Sequence, residues 1–463
     1  MKQITFLSIS LLLAMSAFSQ DITGEWNGVL NQLKLRLVFH INKTGETYTA
    51  TMDSPDQKAF GIPVDTIAFD GSKLSLSIKK IAAPLFYEGD FKTDSIDGTF
   101  KQGVLSIPMT LTRTPQEVKS IVRPQDPKPP YPYISEDVTF ENKSAGIALA
   151  GTITLPSTGN NFPAVILITG SGPQNRNEEL LGHKPFLVLS DFLTRNGIAV
   201  LRYDDRGVGG SGGNYLTAGL DDFASDAAAA VNYLKTRKEI SPKKIGIIGH
   251  SEGGTVAFML AGKKNSNLAY IVSMAGMAIP GDSLLRMQRN LLYKAMGLSD
   301  DDIAKVQTLM DTITNIVNKY PEDYILRNMD RLADEALPDS LKGNDAAKEG
   351  FQKAVKQMMT PEMKSILNNN PADALTKVKC PVLALNGEKD LQVPADINLE
   401  RIKALVKSRV TVKKYPGLNH LFQHCTTGLP AEYGLIEETI SPEVLSDIAK
   451  WIKEDYIIRT SKQ

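Results

Sequence analysis

The segment Gly249–Gly253 has the residue types and the spacing of a serine nucleophile. An apolar run typical of a buried strand precedes it and a helix is predicted to follow, and a sharp strand-to-helix turn exposes a hydroxyl to substrate. Gly249 and Gly253 suit this turn, because a Cβ at either position would clash with the neighbouring strand and helix. A second match to the pattern is centred on Ser211, in a glycine-rich loop with no helix directly after it. We therefore predict Ser251 as the nucleophile.

A serine hydroxyl needs a general base, and the chain has five histidines. His420 lies just past the last predicted strand, at the edge of a parallel sheet where ligands bind. His250 is too close to Ser251 along the chain to turn its ring onto the hydroxyl. We predict His420 as the base, with His424, four residues later, as the alternative.

The base in turn needs a carboxylate that orients its ring. Asp390 comes after the predicted strand Val382–Asn386, one strand before the histidine. Glu388 and Asp396 are the alternatives, although their positions suit a solvated loop charge and a charge at a helix N-terminus. We predict Asp390 as the orienting carboxylate.

Acyl transfer also needs backbone N–H groups that stabilise the developing oxyanion. The N–H of Glu252 follows the nucleophile directly, and a second donor is expected from the loop after the predicted strand Ala164–Thr169. Ser171 or Gly172 is the expected donor in that loop. The alternative is a phosphate-binding glycine loop, but no lysine follows at the required spacing.

From about residue 134 onward, the chain alternates apolar runs with helical segments. Continuous apolar runs of four to eight residues are typical of strands buried on both faces, and their alternation with helices predicts a doubly wound, mostly parallel sheet. A strand pair, Val138–Phe140 and Ile147–Leu155, leads into the predicted strands Ala164–Thr169, Ile198–Tyr203, Lys244–Ile248, Ala269–Met274, Val382–Asn386 and Val410–Tyr415. The predicted helices are Phe186–Arg195, Asp222–Lys235, Thr255–Gly262 and Asp396–Lys407.

One interval, residues 280–376, interrupts this alternation. Its apolar residues recur at helical spacing, as at Ile303, Val306, Met310 and Ile313, and it lacks strand signals. A long insertion in one crossover of such a sheet predicts a helical cap over the edge where ligands bind.

The first residues have the pattern of a signal peptide. Lys2 is followed by the apolar run Ile4–Ala14, and Ala17 and Ser19 are small residues at −3 and −1 of a cut after residue 19. The run is too short to span a bilayer, and the alternative is a buried N-terminal helix. We predict a signal peptide over 1–19 and a soluble protein that is exported to the periplasm or secreted.

Residues 20–114 are predicted to form an all-β domain, a small barrel or a sandwich. Apolar residues alternate with polar ones around Leu37 and Phe39, and turn residues separate these short runs. Six prolines then favour an extended linker over 115–133, so that the α/β domain covers 134–463. The aromatic residues of the β-domain are predicted to lie in its core, and the alternative is contact with a carbohydrate or a protein partner. They include Trp26, Phe39, Tyr87 and Phe91.

Residues 134–460 resemble an α/β-hydrolase, of the exported bacterial esterase and serine aminopeptidase-like branch. The resemblance rests on the segments Gly170–Pro173, Asp204–Ser211 and Gly249–Gly254, and on Asp390 followed by His420. The order Ser251, Asp390, His420 is that of the α/β-hydrolase triad. The resemblance implies carboxylic-ester hydrolysis without a cofactor. The chain departs from it at Asn177, where relatives often carry an acid, and the β-domain lies outside it.

The composition excludes several other classes of protein. The 463 residues include 52 basic and 52 acidic side chains, so the formal net charge is zero and no nucleic-acid-binding footprint is indicated. Two cysteines exclude a disulfide framework and a Cys-rich zinc site. We expect a small-molecule ester as substrate, with no metal, no cofactor and no membrane span.

Two other functions remain open from the sequence: a peptidase that uses the same triad, and a ligand-binding protein with an inert hydrolase domain. An aminopeptidase must hold a substrate ammonium near Ser251, and Glu252 is expected at a helix N-terminus, where the dipole stabilises its carboxylate. The acids of the cap are expected at solvent-facing positions, away from a substrate ammonium: Asp300–Asp302, Asp311, Glu322, Asp323 and Glu335. We therefore predict hydrolysis of esters with short acyl groups rather than of peptides.

Overall fold

The computed structural model describes residues 21–33, 35–79, 84–102, 105–117 and 122–453. The signal peptide predicted for residues 1–19 lies outside these ranges. The chain divides into two units, one up to residue 121 and one from residue 122. Within the described ranges, no helix has both the length and the apolar character needed to cross a bilayer.

The first unit is a single antiparallel sheet of nine strands, in the order β4-β3-β2-β1-β9-β8-β7-β6-β5. Val64 donates a backbone hydrogen bond to Ala50 near one edge of the sheet, and the next residue, Asp65, donates one to Ser77 near the other edge. The two edge strands are therefore joined by two residues, and the sheet curls on itself. The strands are β1 (Gly24–Leu30), β2 (Leu35–Thr44), β3 (Thr47–Ser54), β4 (Ala59–Pro63), β5 (Thr66–Phe69), β6 (Lys73–Ile78), β7 (Leu85–Phe91), β8 (Ser95–Gln102) and β9 (Leu105–Thr112).

Large side chains fill the inside of this curled sheet. Trp26, Phe39 and Tyr87 are fully buried, and Phe91 packs edge-on against Trp26. The Tyr87 hydroxyl donates a hydrogen bond to the carbonyl of Ile96 at 2.8 Å, which satisfies its polar end inside the core. These aromatic residues therefore build the core of the unit.

The second unit contains an eight-stranded sheet in the order β10-β11-β13-β12-β14-β15-β16-β17. The first three strands in this order pair antiparallel, and the other pairs are parallel. The strands are β10 (Tyr133–Asn142), β11 (Ile147–Pro156), β12 (Phe162–Ile168), β13 (Ala199–Tyr203), β14 (Ile240–His250), β15 (Ile271–Met274), β16 (Val382–Gly387) and β17 (Val410–Tyr415).

Helices cover both faces of this sheet, each over its own buried apolar cluster. The helices α1 (Pro185–Arg195) and α13 (Pro442–Lys450) pack on one face. The other face carries α2 (Leu220–Thr236), α3 (Glu252–Ala261) and α11 (Ala395–Leu405). A short helix, α12 (Pro430–Tyr433), lies in the loop before α13.

The crossover from β15 to β16 is a helical insertion that has a small core of its own, which includes Ile313, Phe351 and Val355. Together with the doubly wound sheet and the N-terminal β unit, this confirms the predicted fold class. The helices of the insertion are α4 (Gly281–Ala295), α5 (Asp300–Lys319), α6 (Glu322–Arg327), α7 (Met329–Ala336), α8 (Asp345–Met359), α9 (Pro361–Leu367) and α10 (Ala372–Leu375).

The second half of the stretch predicted as a linker is attached to the α/β unit. Arg123 is buried and donates a hydrogen bond to the carbonyl of Gly434 at 2.9 Å, and Gln125 donates one to Ile440 at 2.7 Å. The prolines do exclude a helix here, but they do not prevent neighbouring side chains from anchoring the segment to the α/β unit.

Candidate active site

Ser251 lies in the turn between β14 and α3, with a backbone φ of 53°. This left-handed conformation is strained for a residue with a Cβ, and such strain concentrates at functional sites. The Ser251 N–H donates to the Met274 carbonyl at 2.8 Å, which fixes the turn. A Cβ at Gly249 would lie 2.1 Å from the Gly253 oxygen, and one at Gly253 would lie 2.2 Å from the Ile168 oxygen. Only glycine fits at these two positions.

Asp390 and His420 form a buried hydrogen-bonded pair at the ends of β16 and β17. His420 Nδ1 is 2.7 Å from Asp390 Oδ2. The other carboxylate oxygen of Asp390 accepts the N–H groups of Gln392 and Val393, each at 2.8 Å. Because a carboxylate accepts the Nδ1–H, Nε2 is the ring nitrogen left to take a proton.

Ser251 and His420 line the same cavity, of about 260 Å³. The described residues offer no hydrogen-bond partner to Ser251 Oγ, and catalytic hydrogen bonds of this kind often tighten only when substrate binds. Helices α4 and α9 of the insertion cover the cavity from above, so the insertion is a cap over the site. Their lining residues are Leu284, Leu285, Gln288, Glu362, Met363 and Ile366.

The other candidates for the base and the orienting carboxylate lie at the surface. The side chain of His424 is 66% exposed, and its Nδ1 is 2.8 Å from Glu438 Oε2. Glu388 and Asp396 are both exposed. None of these three residues lines the cavity around Ser251.

Ser211 has a structural position in the loop after β13. Its hydroxyl donates to the Asp204 carbonyl at 2.7 Å and accepts the N–H of Ala150 at 2.9 Å. In the same loop, Arg206 forms a buried ion pair with Asp226 at 2.7 Å. This loop braces the sheet and presents no hydroxyl to the cavity.

The two loops that could supply oxyanion donors differ in which N–H groups are free. Glu252 is the first residue of α3, where backbone N–H groups have no intrahelical acceptor. The Gly172 N–H already donates to the Tyr215 hydroxyl at 2.8 Å and to Glu362 Oε1 at 3.0 Å. The Ser171 N–H, in contrast, has no hydrogen-bond acceptor among the described residues. Of the two expected loop donors, Ser171 is therefore the one that remains available.

The pKa of the Glu252 side chain differs from the sequence-based expectation of an ionised carboxylate. Its position at the start of α3 favours a carboxylate, but burial, together with the nearby charge of Glu362, raises its pKa to about 8. Ser171 Oγ donates a hydrogen bond to Glu252 Oε2 at 3.3 Å. Burial therefore outweighs the helix dipole and shifts the side chain towards its protonated form.

Glu362 is a cavity residue that the sequence analysis missed. It lies on α9, where Ile366, one helical turn later, is buried. The acids named for the cap are exposed, apart from the half-buried Asp311. The i, i+4 spacing of Glu362 and Ile366 was the available signal, because it puts both residues on the same helix face.

A second histidine–carboxylate pair lies beside the first and was also missed. His250 Nδ1 is 2.9 Å from Glu178 Oε1, and both side chains are buried. Burial lowers the pKa of His250, but the Glu178 charge outweighs this effect, and the net pKa is raised. Over the described ranges, no group of three or more His, Cys, Asp or Glu side chains could hold a metal ion.

This fold is that of an α/β hydrolase. The family model described as "Serine aminopeptidase, S33" matches residues 186–424, about half of the chain, and this range includes Ser251, Asp390 and His420. The chain therefore belongs to this family of hydrolases.

Among characterised relatives, esterase EstD from Thermotoga maritima is 25% identical over 358 residues, which cover 76% of this chain and 77% of that protein. The bifunctional esterase/perhydrolase DCH from Acinetobacter calcoaceticus is 26% identical over 259 residues, covering 56% of this chain and 84% of that protein. Among solved structures, that of DcsB in complex with its substrate analogue aligns with a TM-score of 0.45 at 18% identity, covering 70% of this chain and all of that one.

Proposed function

We propose that the protein is a serine hydrolase that cleaves carboxylic esters with short acyl groups through an acyl-enzyme. The observation that carries this proposal is the shared cavity: a strained serine faces it from the turn before α3, and a histidine held by a buried aspartate faces it from the loop after β17. The esterase names of two relatives, EstD and DCH, point in the same direction.

In the proposed mechanism, His420 Nε2 takes the proton of Ser251 as Oγ attacks the ester carbonyl carbon. Asp390 keeps the imidazole in the required tautomer and stabilises the imidazolium. The N–H groups of Glu252 and Ser171 donate to the oxyanion of the tetrahedral intermediate. Collapse releases the alcohol, which takes the proton from His420, and water then repeats the sequence to release the acid.

The size and lining of the cavity support a short, apolar acyl group. A volume of about 260 Å³ is small for a ligand pocket. Leu284, Met363 and Ile366 contribute apolar surface from the cap. We expect acetyl to butyryl aryl esters to be hydrolysed fastest, with the rate falling as the acyl chain is lengthened over a series of aryl esters.

The decisive test is labelling with a fluorophosphonate, which reacts only with an activated serine. Labelling is expected on the peptide that contains Ser251, and Ser251→Ala should remove both the label and at least about 10³-fold of turnover. An unlabelled wild-type protein would instead support a ligand-binding protein with an inert hydrolase domain. Full esterase activity in Ser251→Ala would contradict the proposed nucleophile.

A peptidase is the second candidate, and the position of Glu362 favours it. This carboxylate lines the cavity on the cap side, so an acidic side chain that could hold a substrate ammonium is present after all. Comparing kcat/KM for an alanine anilide and an acetyl ester separates the two functions. A ratio near one, with the anilide rate lost selectively in Glu362→Gln, would establish the peptidase.

A further inference from the structure

The buried pair of Glu178 and His250 has no part in the mechanism proposed above, although it lies directly beside the triad. The rings of His250 and His420 are 4.8 Å apart between centroids. His250 Nε2 is 3.0 Å from the backbone carbonyl oxygen of His420. The side chains of Glu178 and His250 are 6% and 8% exposed, so water offers little alternative to these contacts.

The contacts of His250 favour a proton on each of its ring nitrogens. Nε2 faces a carbonyl oxygen, which only accepts hydrogen bonds, so Nε2 carries a proton. Nδ1 faces a carboxylate oxygen of Glu178, which also accepts. Two acceptors satisfy both nitrogens only when the ring is an imidazolium, and the Glu178 carboxylate supplies the opposite charge that a buried cation needs. The charge of Asp390 acts in the same direction.

The same two side chains connect three segments of the site. Glu178 Oε1 accepts the N–H of Gly170 at 2.7 Å, and Gly170 precedes the proposed oxyanion donor Ser171. His250 precedes the nucleophile Ser251, and its second hydrogen bond holds the backbone of the base, His420. The segments that carry Ser171, Ser251 and His420 are therefore tied to the pair at that residue or one residue away from it.

We propose that Glu178 and His250 are positioning residues, and that a protonated His250 paired with Glu178 sets the spacing between the oxyanion donor, the nucleophile and the base. This role rests on the proposed function, because it concerns the geometry of that reaction. The proposal predicts that kcat depends on the charge of Glu178, whereas a packing role would require only the volume of the side chain.

Glu178→Gln separates these two roles because it keeps the volume and removes the charge. Without the carboxylate, a buried His250 holds a single proton. Glu178 Oε1 accepts from both His250 Nδ1 and the Gly170 N–H, and neither end of an amide can satisfy both of these partners once Nδ1 has no proton. We expect kcat for p-nitrophenyl acetate to fall between about tenfold and 100-fold, the size of loss that a small misplacement of catalytic groups causes, with KM within about threefold of wild type. Glu179→Gln, the same substitution at the exposed neighbouring residue, is the matched control and should leave both constants unchanged.

The protonation of His250 gives a readout that does not depend on turnover. In the 15N NMR spectrum of the full chain at pH 7, the ring signal that disappears in His250→Asn should show protons on both nitrogens. In Glu178→Gln, the same ring should show one. This measurement on the wild-type protein remains decisive if the Gln variant does not fold.

A singly protonated His250 in the wild-type protein would overturn the proposal, and so would wild-type kcat in a folded Glu178→Gln variant. Failure of the proposed function has a different signature, since wild-type protein would then neither hydrolyse the ester nor react with the fluorophosphonate.

Discussion

His420 and His424 are four residues apart but have opposite surroundings. His420 is buried between Asp390 and the cavity, whereas His424 is largely exposed and pairs with Glu438. Replacing His420 by alanine should reduce kcat/KM for p-nitrophenyl acetate by at least about 10³-fold, because the substitution removes the proposed base for the Ser251 hydroxyl. His424→Ala is the matched control and should stay within about twofold of wild type. Equal losses in the two variants would contradict the assignment of the base.

The side-chain type at Asn177 affects the stability of the fold, because this residue is the hydrogen-bond partner of the buried Arg202. Arg202 is buried, and it donates from Nη1 to the Asn177 amide oxygen, while its Nε has no partner among the described residues. Burial lowers the pKa of Arg202 to about 10, as expected for a cation without a nearby counter-charge. Asn177→Asp would supply that counter-charge and should stabilise the fold by about 1 kcal/mol, or roughly 2 °C in Tm. Thermal denaturation followed by circular dichroism measures the change in Tm. Asn177→Ala, which removes the hydrogen-bond acceptor, is expected to shift Tm downward. A lower Tm for Asn177→Asp than for wild type would contradict the argument.

At the scale of elements, periodicity alone was enough to predict the strands that carry the site. The apolar runs at Ala164–Thr169, Lys244–Ile248 and Val382–Asn386 correspond to β12, β14 and β16, because a strand buried on both faces leaves no room for polar residues. Where these strands end determines where Ser251 and Asp390 lie. For this reason the elements and the candidate triad residues could be predicted from the sequence.

The contacts that surround the proposed triad could not be predicted from the sequence in the same way. Glu178 meets His250 across 72 residues of sequence, and Glu362 meets Gly172 across 190. Such contacts depend on how elements pack in three dimensions, and neither periodicity nor local spacing encodes this packing. The raised pKa of Glu252 was missed for the same reason, because the burial that raises it comes from segments distant in sequence.

His183 connects two elements and gives the fold a pH dependence. It is fully buried in the loop before α1, with Nδ1 2.9 Å from Thr439 Oγ1 and Nε2 2.9 Å from the Tyr433 carbonyl oxygen. Burial and then the charge of Arg123 lower its pKa to about 4. In the unfolded chain a histidine has a pKa near 6.5, so between pH 6.5 and 4 the unfolded state binds more protons.

The free energy of unfolding should therefore fall as the pH is lowered through this window, by about 3 kcal/mol from this one group. Urea denaturation at several pH values measures the effect. Since other groups titrate in the same range, the relevant quantity is the difference between wild type and His183→Gln, which lacks the titrating ring. Parallel pH profiles for the two proteins would contradict the assignment.

At the scale of the whole molecule, the chain divides its apolar residues between separate cores. The first unit buries its own aromatic cluster, and the α/β unit buries one cluster on each face of its sheet. A unit that has its own core and its own backbone pairing can fold without the rest of the chain. We therefore expect that the chain can be cut between residues 121 and 122 without unfolding either unit.

Every residue assigned a role in the proposed reaction lies in the second unit, between Gly170 and His420. A truncated chain of residues 122–463 should therefore fold, react with a fluorophosphonate at Ser251 and hydrolyse p-nitrophenyl acetate with kcat/KM within about twofold of the full chain. Residues 21–121 alone should fold without labelling. If the truncated chain unfolds cooperatively but has lost more than tenfold in kcat/KM, the β unit contributes to catalysis, and the prediction that the α/β unit acts alone is wrong.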